Sequence, residues 1–95
     1  MVTYPAAPSG LGANAISATE VDLTWTDNSA GENGYLVERS TDGGTTWTQI
    51  ASIGADSNSY ADTSVTTGNT YKYRVKAYND AGNSGLSNVA TVLTP

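Results

Sequence analysis

Apolar and polar residues alternate along most of this chain with a period of two. Over residues 19–27, TEVDLTWTD, Val21, Leu23 and Trp25 share one side while Asp22, Thr24 and Thr26 share the other. Successive side chains of an extended backbone point to opposite faces, so this spacing predicts a half-buried strand. A helix would keep Val21 near Trp25 but rotate Leu23 away. GYLVERS, 34–40, repeats the pattern, with Tyr35 and Val37 opposed to Leu36 and Glu38. The longest alternation is NTYKYRVKAYN, 69–79, which sets Tyr71, Tyr73, Val75 and Ala77 against Lys72, Arg74, Lys76 and Tyr78. Residues 58–62 around Tyr60 predict a short strand, and LSNVATVLT, 86–94, predicts the last one. TWTQIASI holds Trp47, Ile50 and Ile53 in mixed parity, which predicts a strand interrupted by an irregularity such as a bulge.

Turn chemistry separates these runs. NSAGENG (28–34), the Asp-Gly hairpin signal in TDGGTT (41–46), residues 54–57, the polar loop holding Val65 and ending at Gly68, and DAGNSG (80–85) all read as connections. Pro5 and Pro8 make residues 1–6 an extended lead-in to a domain over 7–94, with Leu11 its first core residue. Short strands spaced by turns, with no helical segment, predict an all-β antiparallel sandwich or barrel. Its core is expected to hold Val21, Leu23, Trp25, Tyr35, Val37, Tyr60, Tyr71, Tyr73, Val75 and Ala77.

Composition narrows the chemistry. At 95 residues the chain supports one small core. Without Cys or His it has no disulfide, no thiolate or imidazole ligand and no His base, so no catalytic residue is assigned. A net charge of −5 repels phosphate backbones and anionic lipid, so neither nucleic acid nor membrane is an expected partner. No apolar run is long enough to span a bilayer, and the start MVTYPAAPSG lacks the marks of a signal peptide. Pro95 closes the chain as an interdomain linker would begin, so a piece of something longer is expected.

The segment TYKYRVKAYNDAGNSGLSNV resembles a fibronectin type III domain, and the resemblance runs from about Pro5 to Thr94. Trp25 is similar to the family's tryptophan of the second strand, and Tyr35 with Val37 to the aromatic-x-aliphatic pair of strand C. Tyr71 stands in the frame V-x-x-G-x-x-Y, Val65 to Tyr71. The resemblance implies a tyrosine corner there, with the hydroxyl bonded to backbone a few residues upstream. Tyr73, Arg74, Val75 and Ala77 then match the body of strand F. The implied fold is a seven-stranded antiparallel immunoglobulin-like β-sandwich, with sheets A-B-E and C′-C-F-G. Two departures matter: Val65 stands where the family more often has Leu, and no Arg-Gly-Asp occurs, so integrin binding is not implied. The combination WTDNS, ENGYLVERSTDGG and TWTQIA is closest to bacterial forms of the module, which resemble spacers in secreted glycoside hydrolases and surface proteins.

Candidate chemistry is sparse beside that frame. Asp27, Asn28, Glu32 and Asn33 offer oxygen ligands suited to calcium, but their spacing misses the EF-hand pattern. Asx side chains in turns usually bond local backbone, so no metal ligand and no cofactor is assigned. Asp27 and Glu32 as a glycosidase pair would lack a pocket scaffold in so small a sandwich. The basic stripe of Lys72, Arg74 and Lys76 could meet an anion, yet Glu38 on a neighbouring strand would pair with it, each pair being worth about 0.2–1 kcal/mol. Trp47, Tyr78 and Tyr4 are the rings left for exposure, so Trp47, Tyr78 and Arg74 are the candidate binding residues. The expected function is a non-catalytic, monomeric module that positions neighbouring domains of an extracellular bacterial protein. The alternative is a module that grips a polysaccharide or a protein through its loops or the C–F face.

Overall fold

The computed structural model describes residues 5–28 and 32–95. Tyr4 and part of the 28–34 loop therefore lie outside the described residues. Among the described residues eight strands follow one another: β1 (Ser9–Ser17), β2 (Glu20–Thr26), β3 (Gly34–Ser40), β4 (Thr48–Gly54), β5 (Ser59–Asp62), β6 (Thr70–Asn79), β7 (Gly82–Asn83) and β8 (Ala90–Leu93). They form two antiparallel sheets, β1-β2-β5 and β4-β3-β6-β7, with β8 also paired to β6. No helix among the described residues is long and apolar enough to cross a membrane.

The period-two pattern decides what lies between the sheets. Val21, Leu23 and Trp25 of β2 face Tyr35 and Val37 of β3 and Tyr71, Tyr73, Val75 and Ala77 of β6, all buried. Leu11, Val65 and Ala90 complete this cluster. Tyr60 is only partly buried, packed against the core from its rim on β5. Trp25 and Tyr35 meet as a tilted ring pair with centroids 5.6 Å apart, a favoured aromatic geometry. At one edge the Asn88 side chain acts like a strand: it accepts from the Leu11 N–H at 2.8 Å and donates to the Leu11 carbonyl at 2.9 Å.

The corner implied for Tyr71 is present. Its hydroxyl accepts the Thr66 N–H at 3.0 Å and shares a 3.3 Å contact with the Thr66 hydroxyl. That hydroxyl contact, together with the backbone bond, pulls the Tyr71 pKa below its ordinary value. Tyr71→Phe keeps the packing and removes the acceptor, so it is expected to cost about 1 kcal/mol. An unchanged denaturation midpoint would show that the corner contributes nothing.

The closing strand differs from the sequence expectation. Instead of a loop over 80–85 and one strand over 86–94, the edge of the sheet is split between β7 and β8. In the gap, the Ala77 and Val75 N–H groups donate to the Ser84 and Ser87 hydroxyls at 2.8 and 2.9 Å. The Ser84 and Ser87 N–H groups return bonds of 2.7 and 2.8 Å to the Ala77 and Val75 carbonyls. Each serine hydroxyl stands where a strand carbonyl would be, so the chain leaves strand geometry while the donors of β6 stay paired. Seven expected strands thus become eight segments without a change of topology.

Candidate functional site on the β4–β3–β6 face

The outward face of the larger sheet follows from its register. Gly34, Leu36, Glu38 and Ser40 of β3 lie opposite Tyr78, Lys76, Arg74 and Lys72 of β6. On β4 the register slips between Val37 and Glu38: Ala51 pairs with Val37, but Gln49 pairs with Glu38. Ile50 is the extra residue, which accounts for the mixed parity of this strand and turns Trp47 toward the outer face.

There Trp47 meets Arg74, whose guanidinium lies 4.2 Å from the ring centroid. Arg74 Nε also donates to Glu38 Oε1 at 2.6 Å, and Lys76 Nζ lies 3.6 Å from Glu38 Oε2. Lys72 donates to the Thr91 hydroxyl at 2.9 Å. The basic stripe is therefore largely occupied by its own sheet. Tyr78 stands apart from this group, at the opposite end of the face across from Gly34. Two of the three candidate binding residues, Trp47 and Arg74, come together, and Tyr78 does not join them.

Two features were not foreseen. Arg39 shares the parity of Tyr35 and Val37, and its side chain points to the core side of β3. Its Nη1 donates to Asp62 Oδ2 at 2.8 Å and to the Ser64 hydroxyl at 2.7 Å, and its guanidinium lies 5.4 Å from the Tyr71 ring. Asp62 is 1% exposed and also accepts from the Tyr73 hydroxyl at 2.7 Å and from the Ser64 N–H and hydroxyl. Burial alone would raise the Asp62 pKa, but the donors of Ser64, Tyr73 and Arg39 hold it below its ordinary value. Burial and then the Asp62 carboxylate push the Tyr73 hydroxyl far above its own.

The second feature is at the other end of the sandwich. Carboxylate oxygens of Asp27, Glu32 and Asp56 lie within 4.8 Å of one another. Asp27 and Glu32 were visible as neighbours in sequence, but Asp56 arrives from the turn between β4 and β5. Asn28 and Asn33 are directed elsewhere, donating to Ala7 and Ser9 and to Asp80 respectively. The Tyr35 hydroxyl donates to Asp27 and, at 3.4 Å, to Glu32. Burial first, and the Asp27 bond next, push the Tyr35 pKa far up, so it remains a donor.

Two packed antiparallel sheets, a tyrosine corner and an outer face tied up by its own ion pairs define an immunoglobulin-like β-sandwich module. The chain belongs to the fibronectin type III family: the Fibronectin type III domain pattern matches residues 6–93. It is 39% identical over 97 residues to "Alpha-amylase" of Niallia circulans, covering 96% of this chain and 7% of that protein. With "Exoglucanase B" of Cellulomonas fimi it shares 37% identity over 96 residues, covering 97% of this chain and 8% of that protein. Among solved structures, an Fn3-like protein from Clostridium thermocellum superposes with a TM-score of 0.81 at 37% identity, over 98% of this chain and 96% of that one. The curated relatives are bacterial glycoside hydrolases, and this chain spans less than a tenth of their length, 7% and 8% for these two.

Proposed function

We propose that the chain is a non-catalytic module that spaces or positions the other domains of an extracellular bacterial glycoside hydrolase. One observation carries this reading. Nearly the whole chain matches a small part of two enzymes whose names give different activities, an alpha-amylase and an exoglucanase. A module common to both cannot be what sets either specificity. The state of Trp47 supports the same reading, because Arg74 lies over the ring on which a sugar would stack. The partners are then the neighbouring domains, with the module itself a monomer.

A second reading rests on the same residue. Trp47 is half-exposed and Arg74 covers its ring, so a polysaccharide could displace that guanidinium and stack there. Incubation of the isolated chain with insoluble cellulose and chitin separates the two. The spacer reading expects the protein to remain in the supernatant. Clear retention that is lost in Trp47→Ala would overturn it in favour of a carbohydrate-binding module.

A further inference from the structure

We propose that Asp27, Glu32 and Asp56 form a calcium site at one end of the sandwich. Two oxygens on one calcium ion at about 2.4 Å can stand no more than about 4.8 Å apart. The three carboxylates each bring an oxygen within 4.8 Å of the others. An acidic cluster alone would mean little, but Glu32 is 6% exposed and its two oxygens are treated differently. Oε1 accepts the Asp56 N–H at 3.1 Å and the Tyr35 hydroxyl at 3.4 Å. Oε2 is buried with no hydrogen-bond partner among the described residues. A buried carboxylate oxygen demands a partner, and a cation supplies one without a donor hydrogen.

The chain's own cations are engaged elsewhere. Arg39 pairs with Asp62, Arg74 and Lys76 pair with Glu38, and Lys72 bonds Thr91. An all-oxygen donor set selects a hard ion, calcium or magnesium, over zinc or copper. Magnesium demands near-octahedral oxygens at about 2.0–2.1 Å and gives up its water reluctantly, whereas calcium accepts wide, irregular shells of 6–8 ligands. Three carboxylates from three points of the chain, completed by water, suit calcium. Asp56 is exposed and Asp27 half-buried, so the ion has a way in from solvent. The β2–β3 and β4–β5 connections each cross from one sheet to the other, so one ion would clasp both crossings.

The test is calorimetric titration of chelator-treated chain with calcium chloride, paired with thermal unfolding in calcium, magnesium or chelator. Calcium is expected to bind one-to-one with Kd on the order of 10⁻⁴–10⁻³ M and to raise the unfolding midpoint more than magnesium does. Terbium bound there should be sensitised by the Tyr35 and Trp25 rings, and calcium should quench that emission by displacement. Glu32→Gln keeps the shape and removes the charge, and Asp56→Asn changes an exposed residue that Asn can replace at its positive φ. Each should weaken calcium binding at least about tenfold. Circular dichroism of both variants in chelator should match the parent. No heat and no midpoint shift for the parent at millimolar calcium would overturn the site, as would unaltered affinity in a folded Glu32→Gln.

Discussion

Asp62→Ala is expected to cost about 3 kcal/mol of folding stability, the low end for breaking a buried charge pair because Arg39 keeps some contact with water. The carboxylate is 1% exposed, and both its oxygens are used. One accepts from Arg39 and Tyr73, and the other from the amide and hydroxyl of Ser64. Alanine leaves the Tyr73 hydroxyl buried without an acceptor and the guanidinium without its counter-ion, and each loss costs more than the hydrogen bond itself contributes. A second signature is the acid limb of stability. The folded carboxyl has its pKa below the ordinary 3.8. The folded state therefore binds fewer protons than the unfolded one near that pH. The contribution is complete above 3.8 and is lost as pH falls through the lower folded value. Denaturant titration from neutral pH down should show this loss in the parent and a flatter acid limb in the variant. A cost below about 1 kcal/mol would mean that Asp62 is a bystander in its cluster.

Gly34→Ala is expected to cost about 1–3 kcal/mol through crowding. Gly34 opens β3 between Gly54 of β4 and Tyr78 of β6. A Cβ there would lie inside the van der Waals envelope of the Ile53 carbonyl oxygen and 2.8 Å from the Tyr78 hydroxyl. The tyrosine can swing aside, since its ring is half-exposed. The carbonyl cannot, because it belongs to the backbone of a paired strand. Adding Tyr78→Ala to Gly34→Ala should therefore recover little of the loss in denaturant midpoint. Full recovery, or a neutral Gly34→Ala, would show that the β3–β4 pairing yields more easily than its geometry implies. The same contact lays the Tyr78 ring over a glycine.

The sheets were legible in the sequence because burial on one face forces strict alternation, which β2 and β6 keep without interruption and β3 keeps as far as Val37. The bulge in β4 was legible as broken parity at Ile50. Arg39 was legible in principle: counting from Tyr35 and Val37 puts it on the inner face, where a charge must find a partner. That the partner is Asp62 depends on how β3 and β5 lie across the sandwich, which alternation does not report. Asp56 was not legible beside Glu32, because only the crossing of β4 to β5 brings them together. The split last strand escaped because a serine hydroxyl that replaces a carbonyl leaves no mark in hydrophobic spacing.

The chain contains six Tyr and no Phe, so every tyrosine placed in its core brings a hydroxyl with it. The hydroxyls of Tyr35 and Tyr73 run to opposite ends of the sandwich, one to Asp27 and the other to Asp62. Sliding β3 along β6 by two residues would return every apolar side chain to the inner face, so hydrophobic pattern alone barely resists that error. The two hydroxyls do resist it. In the slipped pairing the two hydroxyls could not both keep their carboxylates, and at least one would be stranded in apolar surroundings. The polar tips of the core rings thus act as a vernier on strand alignment, penalising the misfolded state that oily residues would accept.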